Sequence, residues 1–428
     1  MSDRNGGARR IGLVSAAALV IGNMIGVGVF TTSGFALADL GRREWVLLAW
    51  LVGGLLAMCG ALSYGALARR IPESGGEYTF LSQTVHPLAG FVAGWISLLA
   101  GFTAPIAAAA LGLQVYLVGS GNDGVRPEWI GTGAILVVGL MHGLRLREGV
   151  ILQNLAVGLK LLAIAVLVAF GAARIPVQNL EPNGSGSFEL GAFAVTLVWI
   201  SFAYSGWNAT VYVAGEVRDP DRNLYRSLIL GTLIVTLVYL ALNAVFLYGA
   251  PVSALAGKAE VGAIAAEAIG GPWLRRAVSA LVALALFTSI SAMVMTGPRV
   301  YARMAQDGLF PRIFKPGREV PGAAIALQVG LAILVLWYSD LAKLLGYIGF
   351  TLGLSAAATV IGLIAIRLRE GPERVPIPGY PWIPGLFVFV TLGASGFMVL
   401  RQPGEAVAGL LTMAVGALLY FVIPKRRT

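Results

Sequence analysis

Gly22-Asn23-Met24-Ile25-Gly26-Val27-Gly28-Val29-Phe30 stands in the middle of an apolar run, Ile11–Leu40. As one uninterrupted helix, that run of about 30 residues would extend roughly 45 Å, whereas a bilayer's hydrocarbon core is about 30 Å thick. The run is therefore tilted or broken. Glycines at 22, 26 and 28, with Asn23 between them, weaken a helix at the depth where lipid favours it most. A second run, Leu190–Gly215, repeats the anomaly with Ser201-Phe202-Ala203-Tyr204-Ser205-Gly206-Trp207-Asn208 at its midpoint. Taken singly, either stretch reads equally well as a close helix-packing face, because small residues let backbones approach.

Their positions separate the two readings. Twelve apolar spans follow one another along the chain: Ile11–Leu40, Trp45–Arg69, Pro87–Val118, Trp129–His142, Gly149–Gly171, Leu190–Gly215, Tyr225–Ala250, Pro272–Arg303, Ala323–Tyr338, Leu341–Arg367, Ile383–Leu400 and Glu405–Ile423. The interrupted spans are the first and the sixth, the leading helices of two five-span halves. Interrupted helices at corresponding places in two halves point to a transporter site built on inverted repeats. A helix broken at mid-depth bares N–H and C=O groups, which is tolerable only where they line a cavity or meet a ligand. A zwitterion suits such a place. The positive end of one half-helix attracts its carboxylate, and free carbonyls at the end of another receive its ammonium group.

Composition supports a membrane-embedded chain throughout. Of 428 residues, 57% are hydrophobic and 12% charged, and mean hydropathy is +0.80. A soluble chain of this length needs more charge to cover its surface, so lipid must face much of this one. The expected fold is an all-α polytopic membrane protein of about twelve helices. It comprises residues 1–10, a first repeat over 11–171, a second over 188–368, two further helices over 383–423, and a tail, 424–428. The net charge of +10 does not imply nucleic-acid binding. The basic residues fall into alternate gaps, with 21 Lys and Arg on the side of the termini, nine on the other and one within a span. That bias places both termini in the cytoplasm. Met1–Arg10 is polar, and the run after it is too long for a cleavable signal, so a multi-pass inner (plasma) membrane protein is expected. One cysteine, Cys59, excludes an intrachain disulfide and a thiolate metal site. The two histidines, His86 and His142, sit at helix ends, and neither a metal nor a cofactor is expected.

The chain resembles the amino acid–polyamine–organocation superfamily and, within it, the L-type amino acid transporter group. The resemblance rests on Ile25-Gly26-Val27-Gly28-Val29-Phe30 and Phe202-Ala203-Tyr204-Ser205-Gly206-Trp207-Asn208. Ile71-Pro72-Glu73-Ser74-Gly75-Gly76-Glu77-Tyr78, Gly215-Glu216-Val217-Arg218-Asp219-Pro220 and the stretch from Arg299 to Pro311 add to it. It covers nearly the whole chain and implies a leucine-transporter-like fold. It further implies that the amides of Val27, Gly28 and Val29 meet a substrate carboxylate and that the carbonyls of Met24, Phe202 and Ser205 receive the amino group. Ile25, Gly26 and Ala203 complete that shell, Phe202 closes over the substrate as a gate, and Asn208 lines the pocket. Without the motif, Phe202 reads as a core or lipid-facing aromatic. Val27 stands where the family usually has Ser or Thr, and Ser205 where Gly is frequent. The loop Gly119–Gly124 lacks the cysteine by which mammalian members join a heavy subunit. The resemblance is therefore to a stand-alone bacterial form.

Lys160 is the one basic residue inside a span, about eleven residues, or roughly 16 Å, from either end. Its stem cannot snorkel that far, so the ammonium faces protein or water. A structural lysine bonded to carbonyls is one reading. The resemblance implies another: a resident charge where sodium-driven relatives bind Na⁺, hence sodium-independent transport. No Asp or Glu lies near mid-depth in any span, so a cationic side chain would lack a counter-ion there and a neutral amino acid is the expected substrate, whereas acidic substrates are excluded less firmly because Lys160 is positive. Exchange is the expected mode, with proton-coupled symport as the alternative. A channel would need a continuous polar ring, and only scattered Ser, Thr and Asn are present. An enzyme would need a nucleophile with a base, or a carboxylate pair, at membrane depth, and neither is found.

Overall fold

The apolar runs fold as helices because a bilayer leaves a backbone few other ways to satisfy its own hydrogen bonds. The structure, a computed structural model, describes residues 11–118, 128–143, 150–179, 187–315 and 322–423. The two termini, 1–10 and 424–428, and the loop 119–124 lie outside the described residues. The first span is two helices, α1 (Leu13–Met24) and α2 (Val27–Leu40), and the second is α3 (Arg43–Arg70). A short helix, α4 (Glu77–Thr84), leads into α5 (Pro87–Ile96) and α6 (Ala104–Val118), which a π-helical stretch, Ser97–Thr103, joins into one rod. Next come α7 (Glu128–Gly143), α8 (Val150–Ala172) and α9 (Leu190–Tyr204), the last followed by a 3₁₀ helix, Ala209–Glu216. The remainder is α10 (Pro220–Gly249), α11 (Val252–Leu255), α12 (Val261–Gln306), α13 (Gly322–Tyr338), α14 (Leu341–Glu370), α15 (Trp382–Arg401) and α16 (Pro403–Val422).

Among the described residues, nine helical stretches are long and apolar enough to cross a membrane, and residues 157–172 and α13 are shorter apolar helices. The chain is thus an all-α polytopic membrane protein. The expected ends hold to within a few residues except at the eighth span. There α12 begins eleven residues before Pro272 and bends at Gly271, whose φ of +74° only glycine adopts readily.

Each helix sorts its faces by what it meets. On α8, Leu155, Leu159, Leu162 and Val166 are all more than 60% exposed and recur at intervals of four, three and four residues, a stripe facing lipid. Val157, Lys160, Ile164 and Leu167 form the opposite, buried stripe. α15 and α16 are the least buried spans and lie at the periphery, whereas α5–α6 is the most enclosed. The interrupted helices lie inside: α1 packs on α10 and α8, and α2 on α9, with α3, α12 and α14 around them. At one end the two interrupted spans are stitched together through their backbones. Ile11 N–H donates to the Glu216 carbonyl at 3.1 Å, and Arg218 N–H donates to the Ile11 carbonyl at 2.9 Å. At the other end the buried Arg43 ties the start of α3 to the carbonyls of Asn179 (2.7 Å) and Ala250 (2.9 Å).

Candidate functional site

α1 ends at Met24 because the next two residues leave the helical region, Ile25 with ψ +87° and Gly26 extended. Helix resumes at once with Val27. Two opposite poles therefore face each other across two residues: the carbonyl end of α1 and the amide end of α2, which no side chain caps. The amides of Val27, Gly28 and Val29 belong to that first turn.

The other interruption is built differently. α9 closes on a tight turn, Ser205 N–H to the Phe202 carbonyl at 2.8 Å, and four turn residues follow before the 3₁₀ helix. Gly206 takes φ +96°, and a Cβ there would stand 2.9 Å from the Asn23 carbonyl. Gly28 is pressed just as closely on α9, its missing Cβ lying 2.5 Å from Ala203 Cα. The two breaks thus touch each other at both places, as the packing reading of these glycines requires. One hydroxyl serves both helix ends: Tyr239, fully buried on α10, reaches the carbonyls of Met24 and Ala203, the latter at 3.0 Å. A hydroxyl has one proton, so at any instant one of these carbonyls is free to accept from another donor.

A cavity of about 130 Å³ opens between the breaks. Of the expected site residues, Met24, Gly26, Val27, Gly28, Phe202, Ala203, Ser205 and Asn208 line it. Ile25 and Val29 are fully buried and do not. α12 adds Ser289, Met293 and Thr296, and the π-helical stretch adds Ser97, Gly101 and Phe102. A π turn widens a helix locally and often marks a functional wall. Lys160 does not line the cavity. It stands behind the first break, 8% exposed, and its Nζ donates to the Ile25 carbonyl at 3.2 Å. That carbonyl belongs to the break, so the fifth span's charge is bonded to the interruption of the first.

Two residues of this neighbourhood were not singled out from the sequence. Tyr239 sits in an apolar run where one more aromatic carries no signal. Glu77 falls in a loop motif between spans, where a charged residue reads as solvent-facing. The spans hold no acidic residue at mid-depth, yet the loop after α3 folds inward and buries Glu77 in the cavity wall. Its Oε1 accepts from Tyr64 OH at 3.1 Å and from Asn208 Nδ2, and its Oε2 accepts from Tyr212 OH. The absence of any counter-ion for a cationic side chain, inferred from the spans alone, therefore does not hold for the folded chain. The loop's glycines make this approach feasible. Gly76 has φ +59°, and a Cβ on it would meet the Tyr212 ring at 2.3 Å.

Comparison with known proteins bears on this geometry. The family model described as "Amino acid permease" matches residues 11–423. The serine/threonine exchanger SteT of Bacillus subtilis (strain 168) is 28% identical, covering 100% of this chain and 99% of that protein. The human large neutral amino acids transporter small subunit 2 is also 28% identical, over 97% of this chain and 80% of that one. The mouse Asc-type amino acid transporter 1 is 26% identical, with 98% and 82% covered.

Proposed function

The chain belongs to the amino acid permease family, and from that premise we propose that it carries neutral L-amino acids by alternating access, in exchange and without sodium. The observation that carries the reading is the pair of opposed helix poles at Met24–Val27, facing one cavity with the end of α9. An α-amino acid presents a carboxylate and an ammonium group on one carbon. The uncapped amides of α2 suit the first, and the carbonyls of α1 and α9 suit the second.

Lys160 supports sodium independence. Its ammonium occupies the acceptor that a bound cation would otherwise use at the Ile25 carbonyl, and it repels a second positive charge. Phe202, on the last turn of α9 and in the cavity wall, is the proposed gate. Residues 11–171 and 188–368 are the proposed repeats, rocking about the paired breaks. Neutral substrates and exchange draw support from the relatives, whose names specify serine and threonine exchange or large neutral amino acids. The chain's one cysteine, Cys59, lies within α3, which suits a carrier working without a disulfide-linked partner. The inner membrane, with both termini cytoplasmic, is the proposed location.

Counterflow in proteoliposomes tests all of this. Vesicles preloaded with a neutral amino acid should accumulate the labelled species equally in sodium and in choline buffer. Accumulation that requires Na⁺, or that follows a pH gradient without internal amino acid, would replace exchange by symport. Conductance without saturation would replace a carrier by a channel.

A further inference from the structure

Glu77 is the only charged side chain among the described residues lining the cavity, and the mechanism proposed above does not use it. Three donors converge on it, from Tyr64, Asn208 and Tyr212, and all three are neutral. They satisfy the oxygens of a carboxylate but bring no opposite side-chain charge, and the amide end of α4, at whose first residue Glu77 stands, offsets its charge only in part. Lys160 lies outside the lining, bonded to the Ile25 carbonyl. The cavity wall therefore carries a fixed negative charge beside Asn208, three residues past the tight turn that closes α9.

We propose that Glu77 is a specificity-determining residue, a charge filter that rejects amino acids with anionic side chains. The inference rests on the functional reading above and names the residue that keeps anionic side chains out of its substrate class. A substrate's own α-carboxylate has the amide end of α2 to offset it. A second carboxylate on the side chain has no such partner and meets Glu77, which is buried in the cavity wall. Two like charges about 6 Å apart at an effective dielectric constant of about 20 disfavour binding by about 10- to 100-fold. A neutral side chain of the same shape escapes that repulsion.

Isosteric pairs isolate the charge. Glutamine and glutamate, and asparagine and aspartate, compete with uptake of a labelled neutral amino acid into proteoliposomes. In the wild type each acid should compete at least about 10-fold more weakly than its amide. Glu77→Gln keeps the size, and its amide can still bond the two tyrosine hydroxyls and Asn208. It should bring acid and amide to within about threefold of each other, a ratio in which any change in neutral uptake itself cancels. Glu77→Asp keeps the charge and should keep the discrimination. Were Glu77 needed only to hold Asn208 and Tyr212, Glu77→Gln would weaken amides and acids together, and an unchanged ratio overturns the filter. A wild type that takes each acid as readily as its amide overturns it too, whether or not the variants fold. A wild type that transports no neutral amino acid contradicts the functional reading instead, so the two failures are told apart.

Discussion

The break in the first span costs two residues and the break in the sixth costs four, and the sequel differs more than the length. After Gly26 the chain re-enters an α-helix at once, so the first break offers backbone alone, carbonyls on one side and amides on the other. After Tyr204 it turns through Ser205–Asn208 and continues as a 3₁₀ helix, so the sixth break offers one set of carbonyls and then side chains. Backbone groups are the same whatever the residue, and they recognise what all α-amino acids share. Side chains vary, and at the sixth break they include Phe202, Ser205 and Asn208, with Glu77 attached. The first break is thus equipped to hold the common part of a substrate and the sixth to read the part that differs.

That division fails most visibly if the first break does not depend on its support. Lys160→Ala removes a charged donor from the Ile25 carbonyl and leaves a buried acceptor unmet, a loss of about 1.5–3 kcal/mol. Uptake should fall by about 10- to 100-fold for every amino acid tried, at one tenfold step per 1.4 kcal/mol. Lys160→Arg should also be poor, since a planar guanidinium does not reproduce a compact ammonium. Full activity in purified, monodisperse Lys160→Ala would remove the support from the comparison.

A side chain placed in the first break comes next. A Cβ at Gly26 comes within 3.2 Å of Ser289 Oγ, closer than ordinary contact, so Gly26→Val should fold only with that serine side chain turned aside, and it adds bulk beside the α2 amides. We expect uptake of all substrates to drop about 10-fold, roughly the effect of 1.4 kcal/mol. Gly28 is the informative control. A side chain there strikes the Ala203 backbone, so Gly28→Leu should lose both folded protein and uptake. Equal thermal stability of the two variants would mean that Gly28 serves the site alone.

The smallest effect is expected at the sixth break and should depend on the substrate. Phe202→Ala opens the wall without touching the amide pole. Its apparent substrate constants should rise about threefold to tenfold, unequally among amino acids of different size. A uniform rise, measured over a panel of neutral substrates, would assign Phe202 to the common part and blur the distinction.

Much of this arrangement is legible in the sequence because lipid makes the reading strict. Glycines at 22, 26 and 28 in a run too long to cross once located the first break to within two residues, and Gly206 located the sixth. The π-helical stretch at Ser97–Thr103 was not legible, since its residues are as apolar as those of an ordinary helix. Glu77 escaped for a sharper reason. Hydropathy assigns a charged residue between spans to water, and only the fold reveals that left-handed turns at Gly75 and Gly76 carry it back into the protein. Tyr239 shows the converse, an aromatic in an apolar run whose importance lies in one hydroxyl.

The backbone stitch between Ile11 and the segment Glu216–Arg218 has a mechanical consequence. It joins the residues before α1 to those at the end of the 3₁₀ helix and just past it, so the two short pieces on that side of the breaks are tied to each other as well as packed on α10. Two pieces that belong to different halves of the chain therefore behave as one body. A shift of α1 away from α2 is then also a shift of the 3₁₀ helix away from α9, and the cavity between the breaks opens or closes on both sides together.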